Sequence, residues 1–322
     1  MKAIKYSKYG GPEVMQLVKT KRPLPGDNEL MIRVHAAAVN AGDVHLLKGR
    51  PMIVRLVAGL LKPKHQILGT DVSGVVEQVG KNVTHFSPGD EVYGDLSGTG
   101  FGGFSEYVST HEKAISIKPS NVSWEASAAV PTSAVTALQA LRDHGKIKMG
   151  DQVMIVGASG GVGSFAVKLA KIFGAEVTAV CSTGKVGKVS AMGADHVIDY
   201  RKQQLIKVEE KFDIIYAANG NESLRTYKRL LKSGGRLIVS GGKGTQFLRA
   251  SLFGPLLSLI GNKQLKGMMM KPNQQDLFFL RNLMEEGVLV PTIDKVLSLE
   301  EVPQALSYLE NGSTTGKVVI KL

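Results

Sequence analysis

Cys181 is the only cysteine in the 322 residues. Its isolation excludes an internal disulfide framework and any multi-thiolate zinc site. One tryptophan and eight tyrosines leave little aromatic surface for stacking nucleic-acid bases. No apolar run reaches the roughly 18–20 residues that span a bilayer; "MIVRLVAGLL" and "LFGPLLSLIG" are too short. The opening "MKAIKYSKYGG" has neither an apolar h-region nor a cleavage site. No secretory signal is therefore expected, and the cytoplasm is the expected location. Internal repeats and low-complexity segments are missing too.

Negative charge is in deficit. The formal net charge is +12, which invites a polynucleotide reading. The basic residues are nevertheless scattered, as in Lys185 and Lys188, Arg201 and Lys202, Lys228 and Arg229, Lys263 and Lys266, with no tract of five or six. They read as solvated surface with some contact to a cofactor phosphate, and nucleic acid is not an expected partner.

The first 120 residues hold short β-type runs between Gly and Pro turns: "ELMIRVHAAAV", "VSGVVEQVG", "DEVYGDL", "FSEYVST" and "AISIKP". This pattern predicts a compact β-barrel-like region. The period changes near Ser123, an N-cap for the helical "SWEASAAVPTSAVTALQALRDHG", which stops at Gly145. From Asp151 strands alternate with helices, beginning "QVMIV", "SFAVKLAKIFG", "EVTAV" and continuing to "RLIVSGG". Such a rhythm predicts a doubly wound parallel sheet covered on both faces. The closing "GKVVIKL" is a β-run with no partner left in that sheet, so the last 50 or so residues are expected to return to the first region.

Between "QVMIV" and "SFAVKLAKIFG" lies "GASGGVG". It matches the dinucleotide fingerprint G-x-G-x-x-G at Gly160 and Gly163, with Ala158 replacing the first glycine. The turn, formed by Ser159, Gly160, Gly161 and Val162, is expected to bring a diphosphate to a helix N-terminus, where free N–H groups and the dipole favour an anion. The second strand ends in "CSTGK" without the acid that would hold adenosine ribose hydroxyls. Ser182, Thr183 and Lys185 stand there, and Tyr200 and Arg201 follow the next strand. Hydroxyls and cations suit a 2′-phosphate, so the expected cofactor is NADP(H). Gly241, in "RLIVSGG", joins the expected cofactor contacts.

Taken together, "VNAGDVHLLKG", "ILGTDVSGVVEQVGKNVTHFSPGDEVYG", "GGFSEYV", "AAVPTSAVTALQAL", "GASGGVGSFAVKLAKIFGAEVTAVCST", "MGADHVIDY" and "TGKVVIKL" resemble the medium-chain dehydrogenase/reductase superfamily. They are most similar to its zinc-free branch of quinone oxidoreductase-like proteins and alkenal/enone reductases. The resemblance covers nearly the whole chain and implies a GroES-like catalytic domain, 1–123, completed by a return segment, 271–322. A Rossmann NADP(H)-binding domain, 124–270, is implied between them. Positions that carry zinc ligands in metal-dependent members hold Asn40, Thr70-Asp71 and a residue near Thr132, so no metal is expected. Asn40 is implied to make a polar contact near nicotinamide and substrate, a turn asparagine being the plainer reading. Thr136 is implied to lie against the nicotinamide. His45 falls where relatives carry Tyr, Lys or another polar group. It is a candidate acid by its neutral-range titration, against the readings of a surface histidine or of solvent as proton donor.

The activity so implied is metal-free, NADPH-dependent hydride transfer to quinones or α,β-unsaturated carbonyl compounds by a homodimer. Two alternatives stand beside it: a zinc-independent carbonyl reductase or alcohol dehydrogenase, and a non-catalytic NADPH- and RNA-binding relative. The segment "RPMIVRLVAGLLKPKH", residues 50–65, spaces its apolar residues helically among cations. It is read as an amphipathic helix packed on its own domain. A lid for lipophilic substrates or a peripheral contact with an acidic membrane are its other readings.

Overall fold

The computed structural model describes residues 1–242, 246–259 and 261–322. They divide into two units, Met1–Thr132 with Pro272–Leu322, and Ser133–Lys271.

The first unit begins with a two-stranded ribbon, β1 (Lys2–Lys5) and β2 (Gln16–Lys19). Five strands follow: β3 (Glu29–Ala38), β4 (Asp71–Val79), β5 (Glu91–Asp95), β6 (Tyr107–His111) and β7 (Ile115–Ile117). Between β3 and β4 lie helices α1 (Ala41–Lys48) and α2 (Ile53–Ala58), and α3 (Trp124–Ala128) comes after β7. Helix α4 (Pro131–Leu138) leads into the second unit, which contains β8 (Gln152–Val156), α5 (Gly161–Ile172), β9 (Glu176–Cys181), α6 (Val186–Ser190) and β10 (His196–Asp199). It continues through β11 (Phe212–Ala217), α7 (Leu224–Leu230), β12 (Leu231–Val239), α8 (Gln246–Ser258) and β13 (Gln264–Gly267). The chain returns to the first unit with α9 (Gln274–Glu285), β14 (Ile293–Ser298), α10 (Val302–Glu310) and β15 (Lys317–Lys321).

The second unit is a six-stranded sheet in the order β10-β9-β8-β11-β12-β13, parallel throughout. The order reverses between β8 and β11, which places the topological switch at the end of β8, where the glycine turn begins. Near-continuous apolar runs such as Val153–Val156 are buried because helices cover both faces of such a sheet.

The first unit carries a seven-stranded sheet, β14-β15-β3-β4-β5-β7, with β6 also paired to β3. The unpartnered C-terminal run finds its place here. Strand β15 pairs antiparallel with β3, Val319 opposite Ala38 and Lys321 opposite Ala36. Its Val318 and Ile320 join Ile4, Leu30, Ile32 and Val72 in the core.

Three expectations need correction. The helix predicted from Ser123 to Gly145 is interrupted: Ser123 caps α3 by accepting the Ala126 N–H at 3.2 Å, but α3 ends at Ala128 and a new helix begins at Pro131. Proline disfavours helical geometry in the residue before it. After α4 the chain widens into a π-helical turn, Gln139–Gly145. Residues 124–132, assigned by sequence to the nucleotide domain, belong to the first unit. Ala128 and Ala129 pack on Ala36, Ala38 and Val319, and the Trp124 ring stacks on His35 with centroids 4.6 Å apart. Residues 50–65 also differ from an amphipathic helix packed on its own domain. Only Ile53–Ala58 is helical, and Met52, Ile53, Leu56, Val57, Leu60 and Leu61 are exposed.

Candidate active site

Strand β3 ends in small residues, Ala36–Ala38, and passes Val39 to Asn40, the N-cap of α1. The Asn40 N–H donates to Asp43 Oδ2 at 2.8 Å, and the other oxygen of Asp43 accepts the Gly69 N–H at 3.1 Å. One buried carboxyl thereby ties the start of α1 to the approach to β4. Burial pushes that carboxyl up to about 7 against the two N–H bonds, which pull it down.

The Asn40 side chain is the centre of a buried polar network. Its Nδ2 donates to Thr70 Oγ1 at 2.8 Å and to Asp71 Oδ2 at 2.9 Å, and its Oδ1 accepts from Lys317 Nζ at 2.6 Å. The same ammonium lies 3.3 Å from Asp71 Oδ2 and from the Val39 carbonyl oxygen. Asp71 Oδ1 accepts the Thr132 N–H at 2.9 Å and the Thr132 hydroxyl at 2.6 Å. That hydroxyl is also 2.9 Å from Asp95 Oδ2. It has one proton to share between the two carboxyls. Burial first and the charge of Asp71 second raise the Asp95 carboxyl to about 6. Asp71, gathering four donors, is the ionised partner of Lys317.

These are the positions that the resemblance sets against zinc ligands, and the donor set present does not fit zinc. An amide, two hydroxyls and one carboxylate replace thiolate and imidazole. The site's positive charge is supplied covalently, by Lys317.

Sequence reasoning reached Asn40, Thr70, Asp71 and Thr132 through the resemblance. It passed over Lys317 and Asp95. A signal for Lys317 was available, since a lysine opening the apolar run "KVVI" must be buried if the run is. His45 is not brought into this network. It is exposed on α1, its Nδ1 3.1 Å from the Arg50 carbonyl oxygen.

In the second unit the glycine turn is built as its spacing requires. Gly157 takes φ +79°, a left-handed conformation that favours glycine. A methyl group on Gly163 would overlap the Gly157 carbonyl oxygen and lie 2.7 Å from Ala158 Cα, so helix α5 approaches the turn closely only because Gly163 has no side chain. Gly160 differs: a Cβ there would meet only the Gly157 oxygen, at 3.5 Å. The space beside Gly160 is open. Gly160 is the N-cap of α5 without a side-chain cap, and among the described residues no backbone carbonyl takes the N–H groups of Gly161, Val162 and Gly163. Buried Ser159 completes the turn.

At the ends of β9 and β10 stand Ser182 and Lys185, half-buried, with Thr183 and Tyr200 exposed. Gly241 follows β12, and a Cβ there would press on the Ala218 carbonyl oxygen beyond β11. The cofactor residues expected from sequence in this turn and at these strand ends thus share the carboxyl end of the parallel sheet. Thr136 is buried on α4 of the same unit. One acid was missed at this edge. Parallel pairing sets Asp199 opposite Cys181, and Thr183 donates a hydrogen bond to its carboxylate. That bond, with the Arg201 N–H and the Lys202 and Arg201 charges, holds the carboxyl below its usual range.

Comparison with known proteins agrees with this geometry. Residues 26–120 match the alcohol dehydrogenase GroES-like domain, and residues 192–320 match the zinc-binding dehydrogenase family. The chain is 33% identical to a 2-methylene-furan-3-one reductase of Solanum lycopersicum, over 99% of this chain and 79% of that one. It is 30% identical to an NADPH-dependent alkenal/one oxidoreductase of Arabidopsis thaliana, again over 99% and 79%. The solved structure of a quinone oxidoreductase from Coxiella burnetii superposes with a TM-score of 0.88 at 29% identity, covering 100% of this chain and 99% of that one. The chain belongs to the medium-chain dehydrogenase/reductase superfamily, in the branch of the quinone oxidoreductases and alkenal/enone reductases.

Proposed function

We propose that the protein is an NADP(H)-dependent oxidoreductase that delivers hydride to quinones or α,β-unsaturated carbonyl compounds without a catalytic metal ion. The observation that carries this reading is the Asn40–Thr70–Asp71–Thr132–Lys317 network, in which the zinc-ligand positions are occupied by groups already bonded to one another. Alcohol oxidation without a Lewis acid lacks the agent that stabilises an alkoxide. Reduction of a conjugated C=C bond or a quinone asks less, because charge spreads onto a carbonyl oxygen that hydrogen-bond donors can hold.

When bound, the nicotinamide supplies the hydride, and the chain's residues grip and orient it. The uncapped N–H groups of Gly161, Val162 and Gly163 suit the diphosphate, and the open space beside Gly160 admits it. Lys185, Ser182 and Tyr200 suit a 2′-phosphate. Asp199 opposes one, so the preference for NADPH over NADH rests on the cations at this edge outweighing that carboxylate. Asn40, held at both ends of its amide, supports as a rigid polar wall rather than a mobile donor. The proton that completes reduction comes from solvent in this reading, since His45 faces away from the network and onto the Arg50 carbonyl.

The test is an activity screen of chelator-treated protein, comparing NADPH with NADH over quinones, alkenals and long-chain enones. NADPH oxidation by at least one of these classes, with the C=C bond saturated in enone products, is expected. Failure across the panel, or carbonyl reduction that leaves the C=C bond intact, would overturn the assignment.

A further inference from the structure

The glycine turn lies at the carboxyl end of the second unit's sheet. The amino end of the same sheet carries a pocket. Gln152, Glu176, His196 and Phe212 open the four adjacent strands β8, β9, β10 and β11. Parallel register sets Gln152 opposite Glu176 and His196 opposite Thr178. Together with Thr178, Ile198, Gln203 and Glu210 they line a cavity of about 210 Å³. That is below the range of about 300–1,000 Å³ that holds drug-sized ligands, so its occupant is a short molecule.

Glu176 is engaged at both oxygens: Oε1 lies 3.1 Å from His196 Nε2, and Oε2 accepts the Gln152 amide at 3.3 Å. Three other groups in the pocket are not engaged. Thr178 is only 9% exposed. Among the described residues its hydroxyl, the Gln203 carboxamide and the Glu210 carboxylate have no hydrogen-bond or ion-pair partner. A buried hydroxyl that faces a pocket costs free energy unless an occupant completes its hydrogen bonds. No lysine or arginine lines the cavity. Lys211, which precedes Phe212, donates to the Arg229 carbonyl oxygen at 2.8 Å, and Lys171, on the helix before β9, holds Asp195 at 2.7 Å. Lys202, which precedes Gln203, is close enough to Asp199 to lower its carboxyl. A chain of net charge +12 thus keeps a pocket with two carboxylates and no fixed cation.

We propose that this pocket binds a short aliphatic diamine, with one ammonium received by Glu210 and Thr178, the other by Glu176, and the methylene chain against Ile198 and Phe212. An ammonium has three donors and no acceptor, and the pocket offers carboxylate, hydroxyl and carboxamide oxygens to receive them. An anion is repelled by the two carboxylates. A metal ion does not fit: a divalent cation with oxygen ligands takes about six or more of them, and among the described residues no group of three His, Cys, Asp or Glu side chains converges to hold one. The site is separate from the cofactor turn. From Gln152 to Val156, where the glycine turn begins, β8 rises about 13 Å, so occupancy of the pocket does not depend on bound nucleotide.

Isothermal titration calorimetry tests this with the full-length protein, without nucleotide and at constant ionic strength. The probe is butane-1,4-diamine, and butylamine and butane-1,4-diol are the controls. Wild type should bind the diamine saturably at one site per chain, butylamine at least about tenfold more weakly, and the diol not at all. Glu210→Gln should weaken diamine binding at least about tenfold and Thr178→Val about threefold. Glu286→Gln, a carboxylate change in the other unit, should leave it unchanged. Glu210 is exposed, so its variant keeps the test valid if Thr178→Val folds poorly by circular dichroism. The proposal is overturned if wild type shows no saturable heat up to about 10 mM diamine, or if Glu210→Gln binds the diamine as wild type does. Butylamine binding as tightly as the diamine would equally overturn it, because only one carboxylate would then be in use.

Discussion

The Nζ of Lys317 lies 2.6 Å from the Oδ1 of Asn40, across 277 residues of chain, with its side chain 2% exposed beside the fully buried Asp71. The last strand thus returns to the first unit with more than sheet hydrogen bonds. It brings an ammonium that balances the carboxylate of Asp71 and fixes which way round the Asn40 amide stands. Lys317→Met removes one partner of a buried pair and leaves the other charge uncompensated. The expected cost is about 3–5 kcal/mol, seen as a fall on the order of 10 °C in the melting temperature. A variant that melts within about 1 °C of wild type would show that the pair contributes nothing.

Two glycines of the turn, Gly160 and Gly163, should give opposite outcomes. Gly163→Ala places a methyl group into Gly157 and Ala158, and overpacking there should destabilise by about 1–3 kcal/mol. Gly160→Ala has room, with 3.5 Å to its nearest neighbour, so it should fold normally. Its methyl group instead fills the space read as the diphosphate path, and the KM for NADPH should rise about tenfold or more with little change in melting temperature. Equal effects of the two substitutions on stability and on KM would contradict this division of labour.

Cofactor choice should turn on Lys185 and Asp199. Lys185→Ala removes a cation suited to the 2′-phosphate, and loss of one charge-assisted bond is expected to lower kcat/KM for NADPH about tenfold while sparing NADH. Asp199→Asn removes the carboxylate that opposes the phosphate, and should shift the ratio the other way. Steady-state kinetics with both cofactors check this. A Lys185→Ala enzyme that loses NADPH and NADH activity in equal measure would assign that lysine a different task.

A pH dependence follows from Asp43. Its native value of about 7 lies above the usual carboxylate value, so the folded state binds this proton more tightly than the unfolded chain. Its contribution to stability is complete below the unfolded value, near pH 4, and is lost as pH rises to about 7. Urea unfolding of wild type and Asp43→Asn across pH 4–8 isolates the effect, since other titrating groups are common to both. The wild type should lose ground to the variant by up to about 1.4 kcal/mol per pH unit in that window. Parallel curves would mean that Asp43 is ionised throughout.

Much of the architecture was legible because it is local. The turn glycines, the βα rhythm and the Ser123 cap are properties of short segments, and "GKVVIKL" betrayed its return by lacking a partner. What escaped depends on register between distant segments. Asp199 belongs to the cofactor edge only because β10 pairs beside β9 with Cys181 opposite. The network around Asn40 needs β15 next to β3, and Asp95 enters it only through pairing with Asp71 across β4 and β5.

The most direct test of metal-free reduction is deuterium tracing. Chelator-treated enzyme is given NADPH deuterated at the reactive position of C4 with an α,β-unsaturated ketone, and the product is analysed for label and for the fate of the C=C bond. Deuterium is expected on the β-carbon of a saturated ketone, at a rate that added zinc does not change. Label on the carbonyl carbon of an allylic alcohol, or activity that disappears on chelation and returns with zinc, would contradict it.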